Sequence, residues 1–468
     1  MGKAKYPKYK PSKTLWQEQI PNHWQETELR MLFADNKIKN VGLVEKNLLS
    51  LSYGKLKRKD IDNATGLVPA SFEGYQIIEE GYIVLRFTDL QNDKKSLRVG
   101  YNNEKGIITN AYIGLAPKAD IHSKYFYYQL HFLDKIKYFY NLGGGVRQSL
   151  AFKEFGRETV LIPDKEEQQR IANFLDYKLA KIERFIRKKK ELIKRFVELK
   201  EAILNKTITK GLTPNIEMKP VDIYWVNSIP KHYKLEGFNK NVFLKHGFQF
   251  REHHFATNGV KIVKISQLSP KGFLDLNNAS LVPNEIASQF ENIKISDGNV
   301  LMALTGGTIG KIIRANTNNE LLLQNYRVGN FIPNNDNLTL DYLYWQLKSY
   351  FIQAQMKFYV RETGQPNIGK GDFRKILMIV PPKNEQIELV KHISSETNRL
   401  DLLISKIERE IEIVEEYKTS IIAESVTGKI DVRNYQFLAI EEEETFEELE
   451  EELNIAAEGE TNYETENQ

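Results

Sequence analysis

The sequence has no cysteine among its 468 residues. This absence excludes disulfides, thiolate metal sites and a cysteine nucleophile, and it fits a reducing compartment. No stretch reaches the roughly 18 uncharged apolar residues that a membrane span requires. The basic N-terminus, residues 1–6, is followed by no apolar run, so we expect no secretory signal. These absences predict a protein of the cytoplasm.

Motifs of catalysis are also missing. No Asn/Asp-Pro-Pro-aromatic signature of an adenine methyltransferase is present. Residues 305–311 resemble a phosphate-binding loop but lack its first glycine and its final Ser or Thr. That segment is either a turn that presents Thr308 and Lys311 to a DNA backbone or a plain turn. His253-His254 has no third ligand at helical or strand spacing. We therefore expect no catalytic site, no metal and no directly bound cofactor.

Positive charge is absent from the end of the chain. After Arg433 the sequence has thirteen glutamates and neither Lys nor Arg. Because the whole chain carries +4, the part before this tail carries +17. Such a basic body indicates a polyanionic partner, usually nucleic acid, although a basic surface kept for solubility is the alternative. The tail is too acidic and too poor in apolar residues to pack, so we expect it to be disordered.

The chain contains an internal repeat, which is its most informative feature. Lys10-Pro11, Trp16 and Ile20-Pro21 recur 209 residues later, and residues 125–130 recur after 217 residues as 342–347. Gln148 pairs with Gln365 at that spacing, and a segment of some 50 residues that begins at Pro163 recurs after 218. Insertions are therefore confined to the middle of each repeat. Two divergent modules on a constant frame are the plan of a reader with two different ligands.

Each globular half mixes strand and helix signals. Residues 83–87 and 300–304 predict short strands, as do 106–109 and 321–324. Residues 125–133 and 342–350 are apolar over most of a helical circumference and predict buried helices. We predict an α+β fold in each half, and the pattern leaves the strand order open.

The two end segments predict long helices. From about residue 165 to 206, and from 383 to 424, neither Pro nor Gly interrupts the chain. Apolar residues recur in steps of three and four, a pattern that is typical of a coiled coil. The pattern has three polar interruptions, at Lys189, Lys200 and Lys418. The predicted pairing seam consists of Ile182, Ile186, Ile193, Phe196, Ile203, Leu400, Ile404, Ile407, Ile411, Val414 and Ile421.

Charge predicts which helices pair. Residues 178–210 contain twelve basic and four acidic side chains, whereas residues 396–428 contain four basic and eight acidic ones. Oppositely charged helices attract and set each other's register. We therefore predict an antiparallel pair within the chain, with one domain at each end. The alternative is two unrelated helices, each packed on its own domain.

These segments, in this order, resemble those of the specificity subunits of Type I restriction–modification systems. The resemblance covers nearly the whole chain except the tail. The most distinctive segment is Ile162-Pro163-Asp164-Lys165-Glu166-Glu167-Gln168, and Val380-Pro381-Pro382-Lys383-Asn384-Glu385-Gln386 is its second copy. Residues 16–24 and 225–233 resemble the openings of the two recognition domains. The chain departs from the pattern at Asn384, where the first copy has Glu166, and in its acidic tail.

The resemblance implies two target-recognition domains separated by two paired helices. It also implies two docked modification subunits that supply S-adenosylmethionine-dependent adenine methylation, and restriction subunits that use ATP and Mg²⁺. The chain itself would be non-catalytic and bind double-stranded DNA. The predicted segments are 1–163 (first recognition domain), 164–211 (first long helix), 212–382 (second recognition domain), 383–432 (second long helix) and 433–468 (acidic tail).

DNA reading needs Lys and Arg for phosphates and Arg, Asn or Gln for base edges. The candidates are Arg58, Arg86, Lys94, Lys95, Arg98, Arg147, Gln148, Arg251, Lys264, Gln267, Thr308, Lys311, Arg327, Arg361 and Gln365. Each of them has the alternative of being an ordinary surface charge. A different class of function, a coiled-coil scaffold that joins two protein-binding domains without DNA, is the competing interpretation of the whole chain.

Overall fold

The computed structural model describes residues 4–62, 71–88, 90, 97–142, 149–270, 272–360 and 366–437. The chain forms two compact units. Unit 1 contains the residues up to Lys190 and those from Glu408 onward, and unit 2 contains Glu191–Ile407. Each unit consists of one sheet-rich domain and a part of both long helices. The predicted α+β fold is confirmed.

Over the described residues, unit 1 is built from twelve short strands, three short or medium α-helices and a part of each long helix. They are β1 (Tyr9–Pro11), β2 (Gln19–Pro21), β3 (Gln25–Glu28), α1 (Leu29–Leu32), β4 (Phe33–Asp35), β5 (Leu48–Ser52), β6 (Lys55–Lys59), β7 (Gln76–Ile78), β8 (Ile83–Leu85), β9 (Val99–Tyr101), β10 (Gly106–Ile108), β11 (Ile113–Pro117), α2 (Ser123–Lys135), α3 (Phe152–Phe155), β12 (Thr159–Ile162) and α4 (Lys165–Lys210).

Unit 2 repeats this plan with its own elements. They are β13 (Met218–Ile223), β14 (Val226–Pro230), β15 (Lys234–Gly237), α5 (Phe238–Asn241), β16 (Val242–His246), β17 (Val260–Val263), β18 (Leu281–Val282), α6 (Asn284–Ala287), β19 (Lys294–Ile295), β20 (Val300–Ala303), β21 (Ile312–Arg314), β22 (Leu322–Gln324), β23 (Val328–Pro333), α7 (Leu340–Lys348), α8 (Tyr350–Tyr359), α9 (Lys370–Phe373), β24 (Leu377–Val380) and α10 (Lys383–Val426).

The two domains share one sheet topology, which the sequence left open. The order β4-β11-β8-β9 in unit 1 corresponds to β16-β23-β20-β21 in unit 2. The order β6-β5-β10-β7 corresponds to β18-β17-β22-β19, and each of these sheets has a parallel pair at its centre, β5 with β10 and β17 with β22. The internal repeat is therefore a repeat of structure as well as of sequence.

The long helices match the predicted segments closely at their starts. α4 begins one residue after the predicted residue 164, and α10 begins at Lys383 as predicted. Gly211 and Gly428 follow the two helix ends with φ of 71° and 72°, a left-handed conformation that stops a helix. The second helix therefore ends at Val426, six residues before the predicted boundary. The predicted helix 342–350 is likewise interrupted, because Ser349 is extended between α7 and α8.

Antiparallel helix pairing is confirmed inside unit 1. Lys418 Nζ lies 3.2 Å from Glu183 Oε1, and Lys189 Nζ lies 2.7 Å from Glu410 Oε2, so residue numbers rise along α4 as they fall along α10. The predicted seam residues Ile182, Ile186, Val414 and Ile421 are buried in one hydrophobic core, with Ile411 packed against it. Lys189 and Lys418, two of the three predicted polar interruptions, therefore form ion pairs between α4 and α10 in unit 1.

Unit 2 has the equivalent pair. Lys200 contacts Asp401, and these residues lie 218 positions from Lys418 and Glu183 respectively, so the ion pair is repeated with the helices exchanged. The described seam is less buried here: Leu400 and Ile407 are buried, whereas the side chains of four predicted members are only partly buried, namely Ile193, Phe196, Ile203 and Ile404. Leu204, beside Ile203, and Ile208 are residues of α4 that are buried in the core of unit 2.

The Glu-Gln pair at the start of each long helix ties that helix to its domain. In unit 1 the Glu167 carboxylate accepts hydrogen bonds from Tyr6 Oη (2.6 Å), His23 Nε2 (2.8 Å) and Trp24 Nε1 (3.1 Å). Burial and the bond to Glu167 raise the pKa of Tyr6, so its hydroxyl stays a donor. Gln168 donates to the Pro163 carbonyl (2.9 Å) and accepts from the His122 N–H (2.9 Å) just before α2.

Unit 2 contains the same clamp. Glu385 accepts hydrogen bonds from Tyr233 and from His232 Nε2 (2.7 Å). Gln386 donates to the Pro381 carbonyl and accepts from the Thr339 N–H, both at 2.9 Å. The resemblance between residues 162–168 and 380–386 is therefore explained by a structural anchor that is needed once in each unit.

Both ends of the described chain join the core of unit 1. Tyr9 Oη donates to the Gly428 carbonyl (3.0 Å), and the Asp431 N–H donates to the Ala4 carbonyl (2.8 Å). Residues 433–437 were expected to belong to a disordered tail, but Tyr435 and Phe437 pack their rings on Phe174 and Tyr177 of α4. The rest of the predicted tail lies outside the described residues. No helix in the described part of the chain has the length and apolarity to cross a membrane.

Candidate nucleic-acid interface

In unit 1 the fold brings together two of the segments that carry candidate DNA contacts. The Leu150 N–H donates to the Phe87 carbonyl (3.2 Å), which joins the segment after β8 to the segment before α3. Phe87 is fixed there by the rings of Phe139 and Phe155, at centroid distances of 4.8 and 4.9 Å. We call residues 86–88 and 149–152 the first junction. Lys94, Lys95, Arg147 and Gln148 lie in the sequence next to it but outside the described residues.

A cleft of about 470 Å³ opens beside the first junction. Its lining includes Thr88 and Ser149 of the first junction and the amides of Asn36 and Gln76. Both amides are buried and held by backbone groups: Asn36 Nδ2 donates to the Ile77 carbonyl (2.7 Å) and Gln76 Nε2 to the Tyr112 carbonyl (2.7 Å). The cleft lining therefore combines two buried, hydrogen-bonded amides with the exposed side chains of Lys37, Lys39 and Asn110.

The three described candidates of unit 1 have different environments. Arg86 follows β8 in the first junction and is partly exposed. Arg58 lies on β6, is exposed, and donates from Nε to Glu104 Oε2 (2.8 Å). Their guanidinium groups remain near the surface, so DNA contact by either one stays a prediction.

Arg98 is different because its side chain is 0% exposed. Its Nη1 donates to the carbonyls of Thr88 (2.7 Å) and Arg86 (3.2 Å), and its Nε donates to Tyr140 Oη (3.3 Å). The buried guanidinium therefore fixes residues 86–88 of the first junction through two backbone carbonyls. This burial argues against the predicted DNA contact and gives Arg98 a positioning role.

Unit 2 has the equivalent arrangement. The Ile368 N–H donates to the Leu304 carbonyl (3.0 Å), and the Gly306 N–H donates to the Pro366 carbonyl (2.9 Å). We call residues 304–311 and 366–368 the second junction. Arg327 lies beside it, because the Leu304 N–H donates to the Arg327 carbonyl (2.9 Å). The candidates Arg361 and Gln365 precede Pro366 in the sequence and lie outside the described residues.

The glycine turn of the second junction combines buried hydroxyls with open space at its glycines. The hydroxyls of Thr305 and Thr308 are buried without a hydrogen-bond partner among the described residues. A Cβ built on Gly306 or Gly307 would meet nothing within 4 Å. Because these oxygen atoms are buried, the geometry does not decide between the two interpretations of the turn, and contact of Thr308 with DNA stays a prediction.

Other candidates of unit 2 are engaged in internal contacts. Lys311 Nζ donates to the Leu268 carbonyl (3.0 Å), and Lys264 Nζ donates to Ser280 Oγ (2.6 Å) while burial lowers the pKa of Lys264. Gln267 is buried and accepts from the Lys264 N–H (3.2 Å), which argues against a base contact. Arg251 is exposed. Arg327 is partly exposed, with its Nε donating to the Tyr326 hydroxyl (2.8 Å).

The cleft residues were missed by the sequence-based prediction. Asn36, Gln76, Asn110 and Ser149 are far apart in the sequence and carry no motif. The only local signal is the polar run from Asp35 to Asn40, in which Lys37 and Lys39 alternate with apolar or amide residues directly after a strand.

A family model described as the Type I restriction modification DNA specificity domain matches residues 74–195 and 255–413. The matched ranges cover more than half of the chain and contain both junctions. Each match also extends into one long helix. The two matches therefore follow the two copies of the structural repeat.

The chain is also similar to individual proteins of known kind. It is 24% identical over 338 residues to the Type I restriction enzyme MjaVIII specificity subunit of Methanocaldococcus jannaschii, which covers 71% of this chain and 76% of the relative. A solved structure concerned with complex assembly and conformational transition of the type I R-M system matches with a TM-score of 0.64 at 12% identity, covering 88% of this chain and 99% of that one. At such identity the structural match shows the fold alone.

Proposed function

The chain belongs to the family of Type I restriction–modification DNA specificity subunits, and from this premise we propose that each unit reads one half of a bipartite, asymmetric DNA site. The observation that carries the proposal is the equivalence of the two junctions. Both place a turn after the second strand of a sheet beside the segment before a short helix, and the candidate side chains of the two differ. Equivalent frames with different side chains suit two half-sites of different sequence.

The candidates divide by chemistry. Exposed Lys and Arg side chains, such as Lys39 at the unit 1 cleft and Arg251 in unit 2, would contact phosphates and supply affinity that falls with salt. Arg86 and Arg327, whose carbonyls are fixed by the fold, would reach base edges, where a bidentate contact is worth about 1–3 kcal/mol of discrimination. Thr308 would bind a phosphate or base edge at the glycine turn.

We further propose that the chain itself is non-catalytic and acts in the cytoplasm through partner subunits. Two modification subunits would dock on the helices and methylate adenine with S-adenosylmethionine, after each target base is flipped from the stack. Restriction subunits would supply ATP- and Mg²⁺-dependent translocation and cleavage. A half-site separation near one helical turn, about 34 Å, would place both recognition domains on one face of the duplex.

Co-expression with the modification subunit tests the proposal, with methylated adenines then mapped across the host genome. We expect one split, non-palindromic motif, and the purified complex should lose DNA affinity steeply as salt rises. The control is the modification subunit expressed alone, which should leave no motif. Absence of both a motif and salt-dependent DNA binding would reject DNA reading in favour of a protein-binding scaffold.

A further inference from the structure

In unit 2 the chain that follows β16 crosses from its own sheet to the sheet that contains β22. We call residues 247–251 the crossing segment. The Phe248 N–H donates to the Gln324 carbonyl (3.1 Å), and the Phe248 carbonyl accepts from the Tyr326 N–H (3.0 Å). A Cβ on Gly247 would collide with the Gln324 carbonyl, so this close approach needs a glycine. The backbone of the crossing segment is therefore fixed against the end of β22.

Aromatic rings support the crossing segment from within the domain. Phe250 is buried in a hydrophobic cluster, and the ring of Phe248 lies 5.1 Å from that of Phe250 and 4.6 Å from that of Phe290, measured between centroids. Phe248 is nevertheless 37% exposed. The Arg251 N–H donates to His254 Nδ1 (3.0 Å), which fixes the last residue of the segment. The segment is therefore held along its whole length.

Two polar side chains of this fixed segment are exposed, those of Gln249 and Arg251. The Gln249 amide makes no hydrogen bond within the described part of the chain. A glutamine amide carries a donor and an acceptor next to each other, and these match the N7 acceptor and the N6 amino donor of adenine in the major groove. A fixed backbone also lowers the entropy that is lost when such a side chain is immobilised.

The crossing segment lies next to the second junction. Tyr326, which is hydrogen-bonded to Phe248, is followed by Arg327, and the Arg327 carbonyl accepts from the Leu304 N–H. Arg327 Nε also donates to the Tyr326 hydroxyl (2.8 Å). The two residues Tyr326 and Arg327 therefore join the crossing segment to the second junction, and Gln249 belongs to the same region of unit 2 as the candidate Arg327.

Unit 1 has the equivalent segment after β4. The Ile77 N–H donates to the Ile38 carbonyl (2.8 Å), so residues 36–39 also cross to the second sheet of their unit. Lys37 and Lys39 are exposed and line the cleft beside the first junction. The equivalent places therefore carry Lys-Ile-Lys in unit 1 and Phe-Gln-Phe-Arg in unit 2. Different side chains on an equivalent backbone are what two different half-sites require.

We propose that the crossing segment is a further base-reading element of unit 2, in which the Gln249 amide binds the major-groove edge of an adenine. Gln249 Nε2 donates to adenine N7, and Gln249 Oε1 accepts from the N6 amino group. The inference rests on the proposed function, because it names a base contact within the half-site that unit 2 reads.

The first test co-expresses the Gln249→Ala chain with the modification subunit and maps methylated adenines. The half-site of unit 2 is identified as the half that is retained when residues 29–161 are exchanged. We expect one adenine position of that half to accept other bases, with the other half unchanged. The matched control is Gln19→Ala, which removes an exposed glutamine of β2 in unit 1 and should leave the whole motif unchanged.

A conservative variant separates base reading from a general loss of contact. Gln249→Glu keeps the length of the side chain and an acceptor oxygen but removes the donor to N7. A carboxylate accepts from the N4 amino group of cytosine. The same position should therefore change its preference from adenine to cytosine. A changed preference requires a folded and active complex, so it excludes misfolding as the cause.

Base analogues measure the contact in the purified complex. 7-Deazaadenine, which lacks the N7 acceptor, replaces each adenine of the half-site in turn, and the affinity for the duplex is measured by fluorescence anisotropy. At the position that Gln249 reads, the analogue should weaken binding by about 2- to 12-fold in the natural complex. Gln249→Ala should weaken binding to the unmodified duplex by about 5- to 150-fold, and the analogue should then have no further effect.

The outcomes separate this inference from the proposed function. If the natural complex has a split motif that Gln249→Ala leaves unchanged, the inference is wrong and the proposed function stands. The same holds if the relaxed position is not an adenine, or if 7-deazaadenine weakens both complexes equally at every position. A natural complex without a split motif would reject the proposed function, and the inference with it.

Discussion

The buried carboxylate of Glu167 offers a sharp test of what holds unit 1 together. Its side chain is 2% exposed and receives hydrogen bonds from Tyr6, His23 and Trp24. Replacement by Gln keeps the shape but removes the charge. A hydrogen bond to a charged group contributes about 1.5–3 kcal/mol and a neutral one about 0.5–1.5 kcal/mol, so each bond to a buried donor loses about 1 kcal/mol.

Tyr6 and Trp24 are buried, whereas the His23 side chain is 40% exposed. We therefore expect Glu167→Gln to lower the free energy of unfolding of unit 1 by about 2–3 kcal/mol. Hydrogen exchange resolved by peptide is the suitable assay, because it reports local stability in unit 1 and unit 2 separately. Protection should fall in unit 1 and stay unchanged in unit 2.

Glu385 supplies the matched control in the equivalent clamp of unit 2. Its side chain is 21% exposed, and it has two hydrogen-bond donors, Tyr233 and His232, of which the histidine is 42% exposed. Glu385→Gln should therefore cost about 1 kcal/mol, confined to unit 2. The reasoning fails if the two substitutions cost the same, or if Glu167→Gln leaves the exchange rates of unit 1 unchanged.

Four further substitutions test other parts of the structure. Gly428→Ala places a side chain in the left-handed region at φ 72° and against the ring of Pro21. The free energy of unfolding should therefore fall by about 1–3 kcal/mol, and the melting temperature should fall with it. Burial lowers the pKa of His131 from 6.5 to about 4, so the unfolded chain takes up the proton first. Unit 1 should then lose up to about 3 kcal/mol as the pH falls from about 6.5 to 4, and His131→Gln should remove this loss in urea titrations. Arg327→Ala should weaken binding to the cognate duplex by about 1–3 kcal/mol at unchanged melting temperature, whereas Arg98→Ala should lower the melting temperature.

The long helices were predictable because local signals determine them. Pro163 and Gly211 bound the first one, and the seam follows from apolar steps of three and four residues. The pairing followed from opposite net charges. From the sequence, Lys189, Lys200 and Lys418 could be identified only as polar interruptions. Their ion-pair partners depend on the register of the two helices, and long-range packing decides that register.

The candidate interface was much less predictable. Its cleft assembles residues as distant as Asn36 and Ser149, and sheet order decides which of them meet. The environment of Arg98 was unpredictable for the same reason. An arginine beside a strand can face solvent or backbone carbonyls, and here the positions of the Arg86 and Thr88 carbonyls decide that it is buried. The Glu-Gln pair at 167–168 was noticed as a motif, but its role as an anchor required the positions of Tyr6 and Trp24.

The central claim is that each unit reads its own half-site. The most direct measurement replaces residues 29–161 with the corresponding segment of a relative that has a different target, and maps methylated adenines after co-expression with the modification subunit. The account predicts a new sequence in one half of the split motif and the original sequence in the other. A change in both halves, or in neither, would contradict it.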